Sequence, residues 1–557
     1  MKRIWHQAYP EGVPYDIDCD QASSILEILN QSCEKYAEQT AYISFGHSVS
    51  FAELEAMTKQ FAFYLQNDLR LKKGDRMAVM LPNLIQYPVA VLAAVRLGIV
   101  IVNVDPLYKQ RELVQQLNDS GAETLLVLEN FAYEVEKALP EIPVKNVIVT
   151  KVGDCLPFTK ALMLNTLVKY IRRAVPAYSL SKVINMRSAL NKYTGTQIGQ
   201  LIRLREAELN HDDLLFLQYT GGTTGVPKGV ELTHGNMVAN TLVSSAWLEP
   251  IMSDKQHVMI APLPMYHIFC MSINLFTSLN MGIANVLVTN PRDFKGFIKL
   301  LQSTRFNCLV AVNTLLRKLL DTPGFDQIDF SKLRLTFAGG MAVTKDVASE
   351  WKERTGCSII QAYGLSETSP GVSSMPITSQ DFNGTIGVPL PSTDIKLLND
   401  DHKEVGVGEM GELCVKGPQV MRGYWNNVEA TKEVMTDDGY FKTGDYVSIN
   451  EQGFITILDR KKDMILVSGF NVFPNEIEDV LNQHSDIVES AAIGIDDREA
   501  GQVVKLFVVT NNKKLTEEAV MAYCRENFTG YKCPKQIEFM QELPKSNVGK
   551  ILRKSLR

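Results

Sequence analysis

A regular alternation of apolar runs and helical segments is the feature that most constrains the fold. Between about residue 24 and residue 400, short runs rich in β-branched residues alternate with segments of helical period. Such alternation is typical of parallel sheets covered by helices. The sequence therefore predicts an α/β body with strands at RMAVMLPN, IVIVNVD, TLLVLE, NVIVT, CLVAVN and LRLTFAGG.

The pattern changes in the last third of the chain. Around GELCVKG and FITILDRK the apolar runs become shorter and closer together, which predicts an antiparallel or β-barrel-like part. After residue 460 the order helix, strand, strand, helix, strand predicts a small α+β C-terminal lobe. We therefore predict three parts: a large N-terminal domain (1–459), a hinge (460–465) and a small C-terminal domain (466–557).

Composition excludes several classes of protein. The chain has 57 basic and 63 acidic residues, and a net charge of -6 gives no overall attraction to nucleic acid. Its nine cysteines form no C-x-x-C pair and its eight histidines no H-E-x-x-H motif, so neither a zinc site nor a disulfide framework is indicated. No apolar run of signal-peptide length follows the first residues, and we expect a cytoplasmic protein with reduced thiols.

The most apolar stretch, VAVLAAVRLGIVIVNV (89–104), is the segment to consider as a membrane span. Arg96 and Gly98 interrupt it, and it is too short to span a bilayer without interruption. We predict a helix that enters a buried strand.

Residues 156–192 carry seven Lys or Arg residues and no Asp or Glu, although the chain as a whole is acidic. One interpretation is an amphipathic segment on anionic lipid, which would make the protein peripheral on the inner face of the cell membrane. Its apolar side would consist of Leu162, Leu164, Leu167, Val168 and Ile171. The other interpretation is a basic pair of surface helices over the core.

The string QYTGGTTGVPKG (218–229) has the composition of an anion-binding loop. Glycine accepts positive φ and has no side chain to block a ligand, so backbone N–H groups can converge on one point. The threonines add hydroxyl donors, and Lys228 adds a charge suited to a phosphate oxygen. It is not a Walker A loop, since no lysine follows the third glycine directly. The alternative is a glycine-rich connection between strand LLFLQ and a following helix.

The string YTGGTTGVPKG resembles the phosphate loop of the adenylate-forming (AMP-binding) superfamily of acyl-CoA synthetases, aryl-CoA ligases, peptide-synthetase adenylation domains and luciferases. The loop form T-G-G-T-T-G and the segment DDGYFKTGDYVSINEQGFITILDRKK (437–462) resemble the bacterial long-chain fatty acid-CoA ligases in particular. Further superfamily motifs follow in the family's order: AGG (338–340), QAYGLSE (361–367), KTGD (442–445), DRKKDMILVSGFNVFPNEIE (459–478) and LPKSNVGK (543–550).

The resemblance implies an acid-thiol ligase that forms AMP. ATP and a long-chain fatty acid would give an acyl adenylate and pyrophosphate, CoA would take the acyl group, and Mg²⁺ would be the metal cofactor. The small domain would rotate between the two half-reactions. Alternatives are a medium-chain or aryl acid-CoA ligase, an acyl-AMP ligase that donates to a carrier protein, and a non-catalytic lipid-binding partner at the membrane. Chain-length preference and oligomeric state stay open, a homodimer being one option.

The resemblance also implies an ATP-binding set. In the family the glycine-rich loop holds the β and γ phosphates, and Glu367 and Thr220 correspond to the Mg²⁺ ligands. A carboxylate and a hydroxyl, completed by phosphate oxygens and water, suit this hard cation. The full set consists of Thr220, Gly221, Gly222, Thr223, Thr224, Gly225, Lys228, Gly339, Gly340, Tyr363, Gly364, Ser366, Asp445 and Arg460.

Several members of this set have individual roles in the family. Tyr363 would lie against the adenine ring, and Gly339 and Gly340 would let backbone approach the same ligand. Asp445 has the acceptor oxygens to bind both ribose hydroxyls, and Arg460 would donate to the same sugar.

Further residues correspond to the family's catalytic, hinge and CoA positions. Lys550 matches the catalytic lysine, because the spacing P-K-[ST]-x-x-G-K selects it over Lys545. Lys462 matches the hinge position, and Gly469 matches the glycine that leaves room for the pantetheine arm of CoA. Ser366 stands where the superfamily usually has threonine, and it keeps a hydroxyl for the α-phosphate.

The acyl pocket has the weakest signature. The run PMYHIFCMSINLF (264–276) is predicted to line it, with His267 near the carboxylate end. The alternative is that His267 is a histidine whose hydrogen bonds are satisfied within the core.

Overall fold

The structure is a computed structural model and describes residues 2–193, 204, 206–220, 227–252, 256–468, 470–498, 500–546 and 551–557. Within these residues the strands form four sheets. Two large sheets are mostly parallel, one is antiparallel, and the fourth lies in the C-terminal part of the chain. The predicted α/β class with a small C-terminal lobe is therefore confirmed. None of the described helices is both long and apolar enough to cross a bilayer.

The first large sheet contains the strand that leads into the glycine-rich string. Its central strands are parallel, as expected where helices form the crossovers. Strand Lys228–Thr233 instead returns antiparallel beside Leu214–Thr220. Across the sheet the order is Gly423–Tyr424, Lys228–Thr233, Leu214–Thr220, Val100–Asn103, Arg76–Met80, Thr124–Leu128, Asn146–Thr150 and Val183–Asn185.

The second large sheet carries the AGG and YGLSE motifs at its strand ends. Its centre is parallel and both of its edges are antiparallel. The order is Val388–Pro389, Gly371–Ser374, Ile359–Gly364, Leu335–Ala338, Cys308–Ala311, Val258–Ala261, Ala284–Leu287, Thr40–Ser44 and His47–Ser50.

Side chains of successive residues in the strands of the first sheet enter different cores. Met77 and Val79 belong to the main core cluster, whereas Ala78 and Met80 belong to a second cluster. Because neighbouring side chains of a strand point to opposite faces, this sheet is covered on both sides. That burial explains why the predicted runs are continuously apolar rather than alternating, and all six form strands.

Helices cover the faces of the large sheets. The apolar stretch around Arg96 forms helix Gln86–Leu97, which ends at Gly98 in a left-handed conformation (φ 65°) before strand Val100–Asn103, as predicted. The other α-helices are Ile25–Lys35, Phe51–Asn67, Gln110–Ser120, Ala132–Ala138, Phe158–Thr166, Met186–Lys192, His234–Met252, Ile268–Met271, Ser278–Met281, Phe294–Ser303, Asn313–Leu320, Lys345–Thr355, Val428–Val434, Pro474–Leu481 and Glu517–Asn527.

The antiparallel sheet corresponds to the predicted barrel-like part. Its strands run in the order Glu404–Val405, Asp394–Leu398, Met410–Lys416, Phe441–Ile449 and Ile455–Arg460. The first and last of these described strands do not pair with each other, so the sheet is open and not a closed barrel.

The C-terminal part has the predicted order of helices and strands around a core cluster of its own. Its strands are Ile465–Val467, Phe470–Val472, Ile487–Asp497, Gly501–Thr510 and Gln536–Met540. The domain limits 1–459, 460–465 and 466–557 stay a prediction.

Leu217 tests how strongly the body depends on the strand before the glycine-rich loop. Its side chain is fully buried in the second core cluster. We expect Leu217→Ala to lower the free energy of unfolding by about 2–5 kcal/mol, because the truncation leaves a cavity. All four tryptophans lie at or before Trp425, so tryptophan fluorescence during denaturant unfolding reports the body alone.

Val428→Ala is the matched control, because the Val428 side chain is 65% exposed. We expect it to change the same free energy by less than about 0.5 kcal/mol. Equal effects of the two substitutions would contradict the burial of Leu217.

Candidate active site

The glycine-rich string connects the two strands of a hairpin. Strand Leu214–Thr220 pairs antiparallel with Lys228–Thr233, and Thr220 lies directly opposite Lys228. A strand therefore follows the loop, and the alternative of a directly following helix is wrong. The predicted loop residues Gly221, Gly222, Thr223, Thr224 and Gly225 lie outside the described residues.

The base of this hairpin is packed on both sides. A Cβ on Gly229 would come within 3.1 Å of the Tyr219 ring, so only glycine lets the ring lie so close. The Tyr219 hydroxyl donates to Asp119 Oδ2 at 2.5 Å, and Trp425 Nε1 donates to the Asp119 carbonyl at 3.0 Å. The described strands on either side of the loop thus form a packed base.

Glu367 lies close to this hairpin although it belongs to the second sheet. It sits in the one-turn 3-10 helix Ser366–Thr368, which follows strand Ile359–Gly364 and packs against both hairpin strands. Burial raises the pKa of the Glu367 carboxyl, and the hydrogen bond from Tyr424 and the charges of Arg460 and Lys228 oppose that shift. A carboxylate and an ammonium group that are far apart in sequence thus share one site.

Tyr424 joins these two groups and was not found from the sequence. Its hydroxyl donates to Glu367 Oε1 at 2.9 Å, and Lys228 Nζ lies 4.8 Å from the centre of its ring. Tyr424 reaches this position because strand Gly423–Tyr424 pairs with the hairpin strand, opposite Val230 and Glu231. A strand of two residues has no detectable periodicity, so hydrophobic pattern offers no signal for it.

The predicted ribose-binding pair is assembled by strand register. Asp445 and Arg460 lie directly opposite each other on adjacent antiparallel strands, with Arg460 Nε 3.5 Å from Asp445 Oδ1. The Tyr363 hydroxyl donates to Asp445 Oδ2 at 2.5 Å. Burial and the Asp445 charge raise the pKa of Tyr363, so the phenol stays protonated and remains a donor. The structure therefore brings together three of the predicted nucleotide-binding residues.

Two glycines near this cluster cannot be replaced without a change in backbone. A Cβ on Gly364 would lie 1.8 Å from the Pro370 carbonyl oxygen, and Gly340 has φ +79°. A Cβ on Gly339 would lie 3.2 Å from both the Phe269 ring and the Ala362 carbonyl oxygen. Gly339 and Gly364 thus lie close to neighbouring backbone, and the approach of Gly339 and Gly340 to a ligand stays a prediction.

His267 lies at the N-terminus of the short helix Ile268–Met271. Its Nδ1 accepts a hydrogen bond from the Phe269 backbone N–H at 3.4 Å, and the side chain is partly exposed. His267 is therefore a helix cap at the edge of the core and not a fully buried core residue. Contact with an acyl carboxylate stays a prediction.

The predicted hinge is a turn between the antiparallel sheet and the C-terminal lobe. Lys461, Lys462 and Asp463 form this turn directly after strand Ile455–Arg460. Desolvation and the nearby Arg460 charge lower the pKa of Lys462 to about 8.

Two other predicted residues, Gly469 and Lys550, lie outside the described part of the chain. The rejected alternative to Lys550, Lys545, forms an ion pair with Glu489 at 2.5 Å.

The arrangement of these side chains suits a nucleoside triphosphate. A lysine and a carboxylate lie beside a glycine-rich hairpin, and an aromatic ring next to a buried aspartate offers a surface for a base and acceptors for a sugar. Fold and site thus define an ATP-using enzyme with an α/β body and a small C-terminal lobe.

Comparison with known families gives the same class. Residues 29–425 match the model of the AMP-binding enzyme family, and residues 476–550 match the AMP-binding enzyme C-terminal domain. The chain belongs to the AMP-binding enzyme family.

Individual proteins are similar over the whole chain. A long-chain-fatty-acid–CoA ligase of Salmonella typhimurium is 48% identical over 557 residues, which cover 100% of this chain and 98% of the relative. One from Haemophilus influenzae is 46% identical, with the same coverage. Among solved structures, o-succinylbenzoate CoA synthetase from Bacillus subtilis in complex with ATP and magnesium is 28% identical with a TM-score of 0.75, covering 95% of this chain and 98% of that one.

The lowered pKa of Lys462 predicts unusual reactivity. Near pH 7.5 a larger share of its amine is unprotonated than for an ordinary lysine, so we expect acetic anhydride to modify it on the order of tenfold faster than the exposed Lys513. The advantage should shrink as the pH rises above about 8, because Lys462 is then largely unprotonated while an ordinary lysine still loses protons; below about 8 both rates should fall together. Peptide mass spectrometry at limiting reagent measures both rates in one sample.

Arg460→Gln is the control, because it removes a positive charge that lowers the pKa of Lys462. We expect slower modification of Lys462 and no change at Lys513. Equal rates at the two lysines in the unmodified protein would contradict the pKa shift.

Proposed function

We propose that the protein is a long-chain fatty acid-CoA ligase that forms an acyl adenylate from ATP and then transfers the acyl group to CoA. The observation that carries the proposal is the meeting of Lys228, Glu367 and Tyr424 beside the glycine-rich hairpin, in a chain of this family. The fatty acid is inferred from the names of the full-length relatives.

A fatty carboxylate is a poor acyl donor, because its leaving group would be oxide. Attack of a carboxylate oxygen on the α-phosphorus of ATP releases pyrophosphate and gives a mixed anhydride whose leaving group is AMP. Two anions must approach each other in this step, so fixed positive charges and hydrogen-bond donors supply much of the catalysis. We assign this task to the glycine-rich loop and Lys228 at the β and γ phosphates, with the Ser366 hydroxyl at the α-phosphate.

The nucleoside would be bound by the Tyr363–Asp445–Arg460 cluster. The Tyr363 hydroxyl is committed to Asp445, which fixes the ring so that its face can lie against adenine, next to Gly339 and Gly340. Asp445 is only 4% exposed, so hydrogen bonds from ribose hydroxyls would act on a carboxylate largely shielded from water.

The donor set also fits a Mg²⁺ ion that arrives with ATP. Within the described residues no group of three His, Cys, Asp or Glu side chains could hold a metal ion, so a dedicated protein cage is not found there. Magnesium commonly binds through one or two carboxylates and substrate phosphates, and Glu367 with Thr220 would provide the protein ligands. When bound, the ion would neutralise phosphate charge.

The second half-reaction requires the small lobe to move. Lys550 would contact the carboxylate and α-phosphate oxygens during adenylation and withdraw as the lobe turns about residues 460–465 at Lys462. Gly469 would then leave space for the pantetheine arm, and the CoA thiol would attack the acyl carbon and release AMP. The acyl chain would enter beside residues 264–276, with His267 near its carboxylate.

The decisive test measures CoA-dependent AMP formation with Mg-ATP across acids from acetate to oleate, together with benzoate and a coumarate. We expect turnover to peak at long chains. We also expect Lys228→Met to lower turnover by about a hundredfold or more, because it removes a charge from the phosphates. Lys299→Met, on an exposed face of helix Phe294–Ser303, is the matched control.

The outcomes separate the alternatives. A peak at short-chain or aryl acids would keep the mechanism and discard the fatty acid. AMP formation that needs a carrier protein instead of CoA would discard thioester formation with CoA. No AMP formation with any acid would refute the proposed function.

A peripheral position on anionic lipid is a second part of the proposal. Helix Phe158–Thr166 continues as a π-helix over Leu167–Ile171, and both carry large apolar side chains on the surface. Lys160, Lys169, Arg172 and Arg173 lie on the same segment and match the charge of anionic headgroups. The exposed apolar side chains are Phe158, Leu162, Met163, Tyr170 and Ile171.

The apolar face expected from the sequence is divided in the structure. Leu164 and Val168 pack against the main core, whereas Leu162 and Ile171 are 59% and 71% exposed. The inward pair ties the segment to the body and the outward pair is available to lipid. All nine cysteines are unpaired thiols, as in proteins of a reducing compartment, and we infer a cytoplasmic protein on the inner face of the membrane.

Sedimentation with vesicles tests this position. We expect the protein to bind vesicles containing phosphatidylglycerol and to bind neutral phosphatidylcholine vesicles at least about tenfold more weakly. The double substitution Leu162→Glu and Ile171→Glu should abolish the difference, whereas Val428→Glu, at an exposed apolar residue elsewhere, should not. Equal binding of the unmodified protein to both vesicle types, or none, would refute the lipid interaction.

A further inference from the structure

Two opposite charges of the candidate site lie in one place without forming an ion pair. Lys228 begins the hairpin strand Lys228–Thr233, and Glu367 sits in the one-turn helix Ser366–Thr368, which packs against this hairpin. Burial raises the pKa of the Glu367 carboxyl and the Lys228 charge opposes that shift, so the two groups act on each other through space. Even so, among the ion pairs that the described part of the chain forms within 4.0 Å, none joins Lys228 to Glu367.

A direct ion pair between these groups would compete with ATP. An ammonium and a carboxylate attract each other more strongly where water is excluded, and their contact is a charge-assisted hydrogen bond. Lys228 would then be occupied when a phosphate arrives, and Glu367 would be occupied when a metal ion arrives. Before ATP binds, a site of this composition therefore needs something between the two charges.

The Tyr424 side chain gives each charge a different partner. Its hydroxyl donates to Glu367 Oε1 at 2.9 Å. Lys228 Nζ lies over its ring, 4.8 Å from the ring centre, within the range of cation–π contacts. Such a contact holds an ammonium group less tightly than an anion does, so an arriving phosphate can take Lys228 from the ring.

Backbone hydrogen bonds hold Tyr424 in this position from both sides. The N–H of the next residue, Trp425, donates to the Gly229 carbonyl of the hairpin at 2.8 Å. Three residues before Tyr424, the Met421 N–H donates to the Glu367 carbonyl at 2.8 Å. The tyrosine is only 9% exposed, and its segment is fixed relative to both charged groups.

We infer that Tyr424 is a positioning residue that keeps Lys228 and Glu367 from forming an ion pair before ATP binds, so that both stay available to the nucleotide and its metal ion. The inference rests on the proposed function for the identity of the ligand. It adds that the protein itself keeps these two charges apart.

The test is a cycle of two substitutions, measured by the binding of Mg-free ATP to the full chain in isothermal titration calorimetry. We expect Tyr424→Leu to weaken ATP binding on the order of tenfold to a hundredfold, because Lys228 must leave Glu367 before it meets a phosphate. Glu367→Gln removes a negative charge near the phosphates and should strengthen binding with or without Tyr424. The gain should be at least about fivefold larger in the Tyr424→Leu background, since there the substitution also releases Lys228.

Two further variants separate the ring from other effects. Tyr424→Phe keeps the ring between the charges and loses only the hydroxyl, so we expect it to change ATP binding by less than about threefold. Tyr133→Leu is the matched control, because Lys137 Nζ lies 3.8 Å from the centre of the Tyr133 ring on helix Ala132–Ala138, which has no part in the candidate site. It should leave ATP binding unchanged. If circular dichroism shows that Tyr424→Leu does not fold, Tyr424→Met takes its place in the cycle.

Equal gains from Glu367→Gln in both backgrounds would mean that Tyr424 only supports the fold, and they would overturn the inference. Unchanged binding in Tyr424→Leu would do so as well, and so would a loss in Tyr424→Phe as large as that in Tyr424→Leu. The cycle does not depend on turnover. If the unmodified protein binds ATP but forms no AMP with any acid, the proposed function fails and the cycle still decides the role of Tyr424. If the unmodified protein binds no ATP, both fail.

Discussion

The pairing of Leu214–Thr220 with Lys228–Thr233 is the interaction on which the site depends. It ends the first sheet with a hairpin in place of the usual strand-to-helix crossover, and thereby turns Lys228 back toward the residues that precede the loop. The outer strand of this hairpin then has an edge to which Gly423–Tyr424 adds. Without that pairing neither Lys228 nor Tyr424 would lie near Glu367.

Much of the fold follows from local pattern. The runs that form the central strands are apolar over four or five residues because both faces of their sheets are covered, and that signal survives in a single sequence. The change to an antiparallel sheet and then to a small lobe is equally local. Whether GELCVKG and FITILDRK belong to an open sheet or to a closed barrel depends on pairing between distant strands, so the sequence could not decide it.

The residues of the site also differ in how far the sequence could predict them. Motifs identify residues such as Glu367 and Asp445 because each sits in a recognisable string. Contacts that depend on register or on long-range pairing leave no such mark, as with Tyr424 against Lys228 and Glu367. The basic segment 156–192 was predicted only in part. Its charge is visible in the sequence, but packing against the body decides that Leu164 faces the core and Leu162 faces the solvent.

The site also draws on three separate sheets. Lys228 belongs to the first, Glu367 follows a strand of the second, and Asp445 lies in the antiparallel sheet. A nucleotide bound to all three would act as a cross-link between sheets that also contribute side chains to one main core. By mass action such a ligand favours the state in which all three sheets are assembled. Bound ATP would then raise the stability of the assembled body by an amount that grows with the logarithm of the ATP concentration.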